Sequence, residues 1–367
     1  MQVLNSDEAA VLPPLYAHWV DELLPGPIPR EHRATCERCA MCAPPEDPEP
    51  LAPGWFHPDM KCCATEPDLP NFLVGRVLRD PEARDGHASV RARLRAGAGV
   101  GPLGLAPTKK GDLLRWSAIP AAHGRALAFR CPHYVVDGGT CGVWKHREAR
   151  CTTYFCKHVR GAVGYEFWDA LYGLLRAVER DLARWCAFEL DLGPYALAAL
   201  TEELMAPQGR PALLDEHDLD GHADADAGLR RWGRWWGREE AFYEACAARV
   251  EALSWEEVLA RTGPLVKMTA RVAVQAWQRL LRPQLPAALR LGELEIQGLD
   301  PDGVRIATYS RTDALVLPPL LLGLLPRFDG SPVEEVVLRI REEENVEIEA
   351  ELLQRLHDFG VLVGATR

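Results

Sequence analysis

Residues 166–190 read EFWDALYGLLRAVERDLARWCAFEL. Trp168, Leu171, Leu175, Val178, Leu182 and Trp185 recur there at spacings of 3, 4, 3, 4 and 3, which lays an apolar seam along one face of a helix. Cys186 flanks the seam and reads as a small buried core residue. The same period returns over about 239–260, where Phe242, Cys246, Val250 and Leu253 form one stripe, and over about 265–281. These segments predict a helical middle domain over 166–285. Between the first two lies an acidic, turn-rich stretch, LLDEHDLDGHADADAG at 213–228, whose His217 and His222 read as part of a solvated loop.

The pattern is lost on the N-terminal side of that seam. A short helix is expected around 15–24, followed by a loop broken by Pro25, Pro27 and Pro29. Residues 36–70 are crowded with Pro and Cys and have little apolar periodicity, as in a segment held by ligands rather than by a core. The run NFLVGRVL at 71–78 fits either a helix or a buried strand. GAGVGPLG at 97–104 lacks the Walker lysine pattern and reads as a plain loop. The first domain is therefore an irregular, cysteine-rich one over 1–165.

On the C-terminal side, residues 286–367 read as a small α+β domain. Leu294–Gln297 and Val304–Tyr309 flank Asp300-Pro301-Asp302-Gly303, a hairpin signal. A helix is expected over 315–325. Another should open with Ser331 as N-cap, Pro332 at the first helical position and Glu334 completing a capping box. A third is expected over 348–358, stopped by Gly360 before a short strand at 361–363. A hairpin with three helices is winged-helix-like. The fold class that follows is mainly α, with an irregular Cys-rich N-terminal domain, a helical middle and a winged-helix-like end.

Charge narrows the partners. The first 165 residues hold 20 Lys+Arg and 18 Asp+Glu; the remainder hold 22 and 35. Nine acids and three arginines lie between Ser331 and Asp358, so a winged helix here would be repelled by phosphates, and nucleic acid is excluded as the expected partner. No apolar run reaches the roughly 18–20 residues a membrane helix needs. The acidic, weakly apolar N-terminus is unlike a signal peptide, so the expected location is the cytoplasm, where thiols stay reduced.

Of the eleven cysteines, nine lie between Cys36 and Cys156. Cys36, Cys39 and Cys42 follow one another at intervals of three, as in ferredoxin-type cluster loops, whereas structural zinc more often uses separated Cys-x2-Cys pairs. Cys62 and Cys63 are adjacent, and Cys131, Cys141, Cys151 and Cys156 form a later arm, with Lys157 and His158 directly after it. All nine are candidate ligands for an iron–sulfur cluster, with zinc as the alternative. They suffice for two four-thiolate sites with one thiol left over, or for one site and a redox pair. His133 and His158 are candidate ligands or supporting donors. Lys145, Arg147, Arg150, Lys157 and Arg160 are candidates to offset the charge of a thiolate-bound metal.

The later arm resembles the YkgJ-type cysteine-cluster family, a putative zinc- or iron-chelating domain with a CxxCxxCC-like motif. The resemblance rests on Cys131-Pro132-His133-Tyr134, Cys141-Gly142-Val143-Trp144, Arg147 and Cys151. It implies metal chelation somewhere within residues 36–158. Two departures stand out: Glu148 occupies a position where that pattern has Pro, and the double cysteine is displaced to Cys62-Cys63. The C-terminus resembles PqqD-like peptide-recognition domains through Phe328-Asp329-Gly330, Val336, Leu353, Leu356 and Gly360-Val361-Leu362, which implies capture of a peptide by strand addition. Two functions fit these readings: a metal-binding protein with a redox or structural role and a protein-interaction module, or a metal-dependent enzyme that modifies a peptide or protein. The radical-SAM Cys-x3-Cys-x2-Cys spacing is absent. The first is the expected function and the second the alternative.

Overall fold

The computed structural model describes residues 12–28, 30–31, 39–43, 54–108, 111, 122–205 and 225–365. It is a mixed α/β structure with a helical majority and small antiparallel sheets. The chain forms two compact units. One comprises Met1–Pro25, Thr35–Thr153 and Tyr172–Thr269; the other comprises Gly26–Ala34, Tyr154–Leu171 and Ala270–Arg367. Among the described residues no helix is long and apolar enough to cross a membrane.

The seam over 166–190 becomes the helix Gly161–Glu189, in which Leu175, Val178, Leu182 and Cys186 are buried in the first unit. The ambiguous run at 71–78 is the helix Asn71–Arg79, buried on almost every side, which is why periodicity could not separate it from a strand. It packs against the helix Glu239–Val250 at backbone distance, because a Cβ on Gly75 would stand 1.9 Å from the Tyr243 carbonyl oxygen. Cys246 faces this core, fully buried. Asn71 is buried as well, and its amide donates to the carbonyls of Pro102 and Ala183, each at 2.9 Å.

The helix expected over 239–260 is two helices, Glu239–Val250 and Trp255–Arg261. The break is chemical. Ser254 is an N-cap whose hydroxyl accepts from Glu257 N–H at 3.3 Å, while the Glu257 carboxylate takes Ser254 N–H at 3.0 Å, a complete capping box. The glycine-rich stretch at 97–104 contains two short strands, Val100–Gly101 and Gly104–Leu105, of which the second also pairs with Leu69–Pro70.

In the second unit, Glu295–Asp300 and Gly303–Ala307 form the expected hairpin, and Leu315–Leu317 joins its far side. The helix expected over 315–325 thus begins only at Pro319, because Pro318 and Pro319 hold the preceding residues extended. The expected N-cap at Ser331 is also displaced. Asp329–Pro332 is a strand, the helix is Val333–Glu344, and no side chain caps it. Asp329 intervenes, since its carboxylate accepts Ser331 N–H at 3.0 Å and holds a turn there. The last helix, Ala350–Asp358, ends at Gly360, whose φ of 75° is in the left-handed region. Leu289, Ile306, Phe328, Ile340, Leu356 and Leu362 lie in one apolar core in this unit.

Candidate metal centre

Apart from Cys186 and Cys246 on their helices, short pieces of backbone carry the described cysteines of the first unit. Cys39 and Cys42 sit on a turn closed by Cys42 N–H on the Cys39 carbonyl at 3.0 Å. Cys62 and Cys63 follow the turn 57–61, which ends in Lys61 at a φ of 53°. Cys131 is tied to the second piece directly, its N–H donating to the Cys63 carbonyl at 2.9 Å. Cys141 is paired with Tyr134 in a two-stranded ladder, and Cys151 lies on the helix Ala149–Thr153. Cys36 falls outside the described residues. Cys156 belongs to the second unit, where its carbonyl accepts from the Thr312 hydroxyl at 2.9 Å.

The thiols on these pieces act on one another electrostatically. Cys39 and Cys42 are hydrogen-bonded through sulfur; that bond holds Cys39 down to about 6 and pushes Cys42 up. Cys62 is raised chiefly by its bond with Cys63, then by burial, and also by the charge of Cys39. Burial pushes Cys131 up to about 12, against a contact from His133 N–H at 3.4 Å, and Cys141 adds to the rise. Burial also raises Cys141, which in addition feels Cys62. Cys151 is raised by burial, by Glu148, and by Cys131 and Cys141. Cys39 and Cys42, the Cys62–Cys63 pair, and Cys131, Cys141 and Cys151 therefore lie within electrostatic reach of one another, an arrangement that spacing alone could not provide. Every cysteine among the described residues is a free thiol. In the positions found, no three described His, Cys, Asp or Glu side chains converge closely enough to hold a metal ion.

Two guanidiniums are buried beside the sulfurs. Arg147, 5% exposed, stacks on Trp144 with its carbon 3.8 Å from the ring centroid, and donates to the carbonyls of Trp144 and Cys151 at 2.8 and 3.2 Å. Burial lowers it to about 10, opposed by Cys141 and Cys151. Arg93 is likewise lowered by burial and feels Cys131. Of the basic residues proposed from sequence, Arg147 is placed at the thiols of the first unit, and Lys157 belongs to the second unit. Lys145 pairs with Glu82, Arg150 stacks on Tyr172, and Arg160 pairs with Asp358. Arg93 gave no signal in sequence, being one of several arginines on the helix Arg84–Ala96.

Glu148 also acquires a reason. Its buried carboxylate accepts the N–H groups of Arg150 and Cys151 at 2.6 and 3.0 Å, satisfying the first turn of the helix that presents Cys151. Behind it, the fully buried Glu179 accepts Ala149 N–H at 2.7 Å and the Tyr16 hydroxyl at 2.5 Å. His133 is 1% exposed and pushed down to about 3 by burial, so it is neutral. His158 is in the second unit, its Nδ1 3.2 Å from the Tyr309 hydroxyl.

Comparison with protein-family models, curated proteins and solved structures returned no match to this chain.

Proposed function

We propose that the first unit is a thiolate metal-binding module that holds an iron–sulfur cluster, and that its role is redox or structural. The observation that carries this is the common neighbourhood of Cys39, Cys42, Cys62, Cys63, Cys131, Cys141 and Cys151, with Cys131 tied to Cys63 through the backbone. Cys42, Cys62, Cys131, Cys141 and Cys151 are each raised by burial and by neighbouring thiols, so they resist losing protons together unless a cation arrives to bind the thiolates. Cys62 and Cys151 are exposed at the surface even though the surrounding protein desolvates their thiols, so an ion can reach them. Arg93 and Arg147 suit a centre whose net charge is negative. The donor set fits a soft or borderline metal; a bound cluster would supply one-electron chemistry, and the resemblance to the YkgJ-type family points the same way. Loading would draw these loops together, and reduced thiols suit a cytoplasmic setting.

Anaerobic purification, metal and sulfide quantitation and a visible spectrum test the proposal. Several irons per chain with matching sulfide support the cluster; colourless protein with stoichiometric zinc replaces it with a zinc site. Cys39→Ser and Cys151→Ser should each lower metal content. Full retention in both removes them from the ligand set.

For the second unit we propose a winged-helix-like module that captures a peptide by strand addition. Among the described residues, Glu295–Asp300 pairs on one side only, with Gly303–Ala307, and exposes Ile296 at 68% and Leu299 at 86%. Peptide-display selection on the full chain should enrich extended apolar sequences, and an Ile296→Asp, Leu299→Asp variant should lose them. Equal enrichment by both proteins would set this edge aside.

A further inference from the structure

Cys141 lies on the second strand of the short hairpin that pairs Tyr134–Val135 with Thr140–Cys141, and Cys131 and His133 directly precede its first strand, where the His133 carbonyl accepts Gly142 N–H at 2.9 Å. Two glycines bring that hairpin against the helix Arg84–Ala96. A Cβ on Gly86 would stand 2.7 Å from the Gly142 carbonyl oxygen, and one on Gly142 would stand 3.1 Å from Gly86 N. This close approach sets Ser89 beside His133, with Ser89 Oγ 2.9 Å from His133 Nδ1. The Ser89 hydroxyl donates to the Gly86 carbonyl at 3.1 Å, the usual back-bond of a helical serine. A hydroxyl has one proton, so with that proton committed Ser89 can only accept from the ring. The imidazole proton is then on Nδ1, and Nε2 presents a lone pair.

That lone pair has no partner. Nε2 is buried and makes no hydrogen bond, which is a cost that folded proteins seldom leave uncompensated. Arg93 contributes a second buried atom without a partner, Nη1, and its charge acts on both Cys131 and His133. His146 also has an unpartnered ring nitrogen, but the charged groups around it are Asp80, Arg76 and Lys145 rather than thiols.

We propose that His133 Nε2 is a ligand of the metal bound at Cys131 and its neighbours. The centre is then a mixed thiolate–imidazole site, and Ser89 is a positioning residue that holds the ring in the metal-binding tautomer. This rests on the thiol centre proposed above. Each ligating thiol gives up its proton to solvent as its sulfur binds; Nε2 has none to lose and donates its lone pair directly. Metal ligands of this type ordinarily pass their other ring proton to a fixed acceptor, which is the arrangement at Ser89.

The test uses the full chain, prepared anaerobically with ¹⁵N-histidine and titrated with ¹¹³Cd²⁺ alone. Long-range ¹H–¹⁵N spectra of the metal-free protein should show His133 protonated at Nδ1. Cadmium should shift Nε2 and split the His133 ring protons by coupling to ¹¹³Cd. Ser89→Ala should weaken cadmium binding about tenfold and change the tautomer balance, and Ser89→Thr should restore both. Cadmium bound without coupling to His133, or coupled to another histidine, overturns the inference and leaves the thiol centre standing. Failure of the wild-type chain to bind cadmium removes the thiol centre, and the histidine ligand with it.

Discussion

Glu179→Ala is expected to be the most damaging single change in the first unit outside its apolar core. Glu179 Oε1 is the acceptor for two buried donors, the Tyr16 hydroxyl on the helix Pro14–Leu23 and Ala149 N–H at the start of the helix that bears Cys151. Removing that oxygen strands both donors, and each buried unsatisfied group costs about 1–3 kcal/mol. Against this, Ala removes a carboxyl that burial, aided by Glu148, already holds well above the usual carboxylate range. The balance is a loss of about 2–4 kcal/mol in urea denaturation. Glu179→Gln keeps the acceptor and at pH 5 should stay within about 1 kcal/mol of wild type.

The pH dependence has a definite sign. The folded pKa of Glu179 lies above its unfolded value of about 4.5, so the folded state holds the extra proton. Its contribution to stability is complete below the unfolded pKa and is lost as pH rises through the folded one. Glu179→Gln has no such titration, so it should gain on wild type as pH rises from about 4.5. Urea midpoints for both proteins between pH 5 and pH 8 measure this. Two results would refute the reasoning: Glu179→Ala within about 0.5 kcal/mol of wild type, or a Glu179→Gln advantage that shrinks as pH rises.

Gly75→Ala should destabilise the first unit by about 1–3 kcal/mol, because the added methyl meets the backbone of Tyr243 and neither helix can yield without losing buried contacts; a midpoint unchanged from wild type in thermal unfolding would contradict this. Asp358→Asn should cost the second unit about 2–3 kcal/mol, since it leaves the half-buried Arg160 without the carboxylate that receives its Nε at 2.7 Å and its Nη2 at 2.5 Å. Hydrogen exchange across Ala350–Asp358 would report the loss, and unaltered protection there would show that the pair is dispensable.

Local patterns were readable wherever one local cause governed them. The seam at 166–190 marked its helix because five buried residues return on one face, and Asp300–Gly303 marked its hairpin because turn chemistry is local. Errors came where two local signals competed. Ser254 outweighed the apolar stripe through 239–260, Pro318 outweighed the leucines around it, and Asp329 took the turn that Ser331 and Glu334 were expected to cap.

For the candidate centre, the sequence by itself determined which candidate donors the chain carries. Thiols at short intervals between Cys36 and Cys156 are soft donors, and their types and spacing are covalent facts. Only the tertiary structure decided which of them are neighbours. Cys63 and Cys131 are adjacent because one N–H reaches one carbonyl across more than sixty residues, and Cys156 is in the other unit although only four residues separate it from Cys151. Arg93, Ser89 and Glu179 were invisible for the same reason. Each is an ordinary residue on a helix until packing sets it against a distant segment, and the burial of Arg93, Glu179 and His133 then makes every unpaired proton and lone pair consequential.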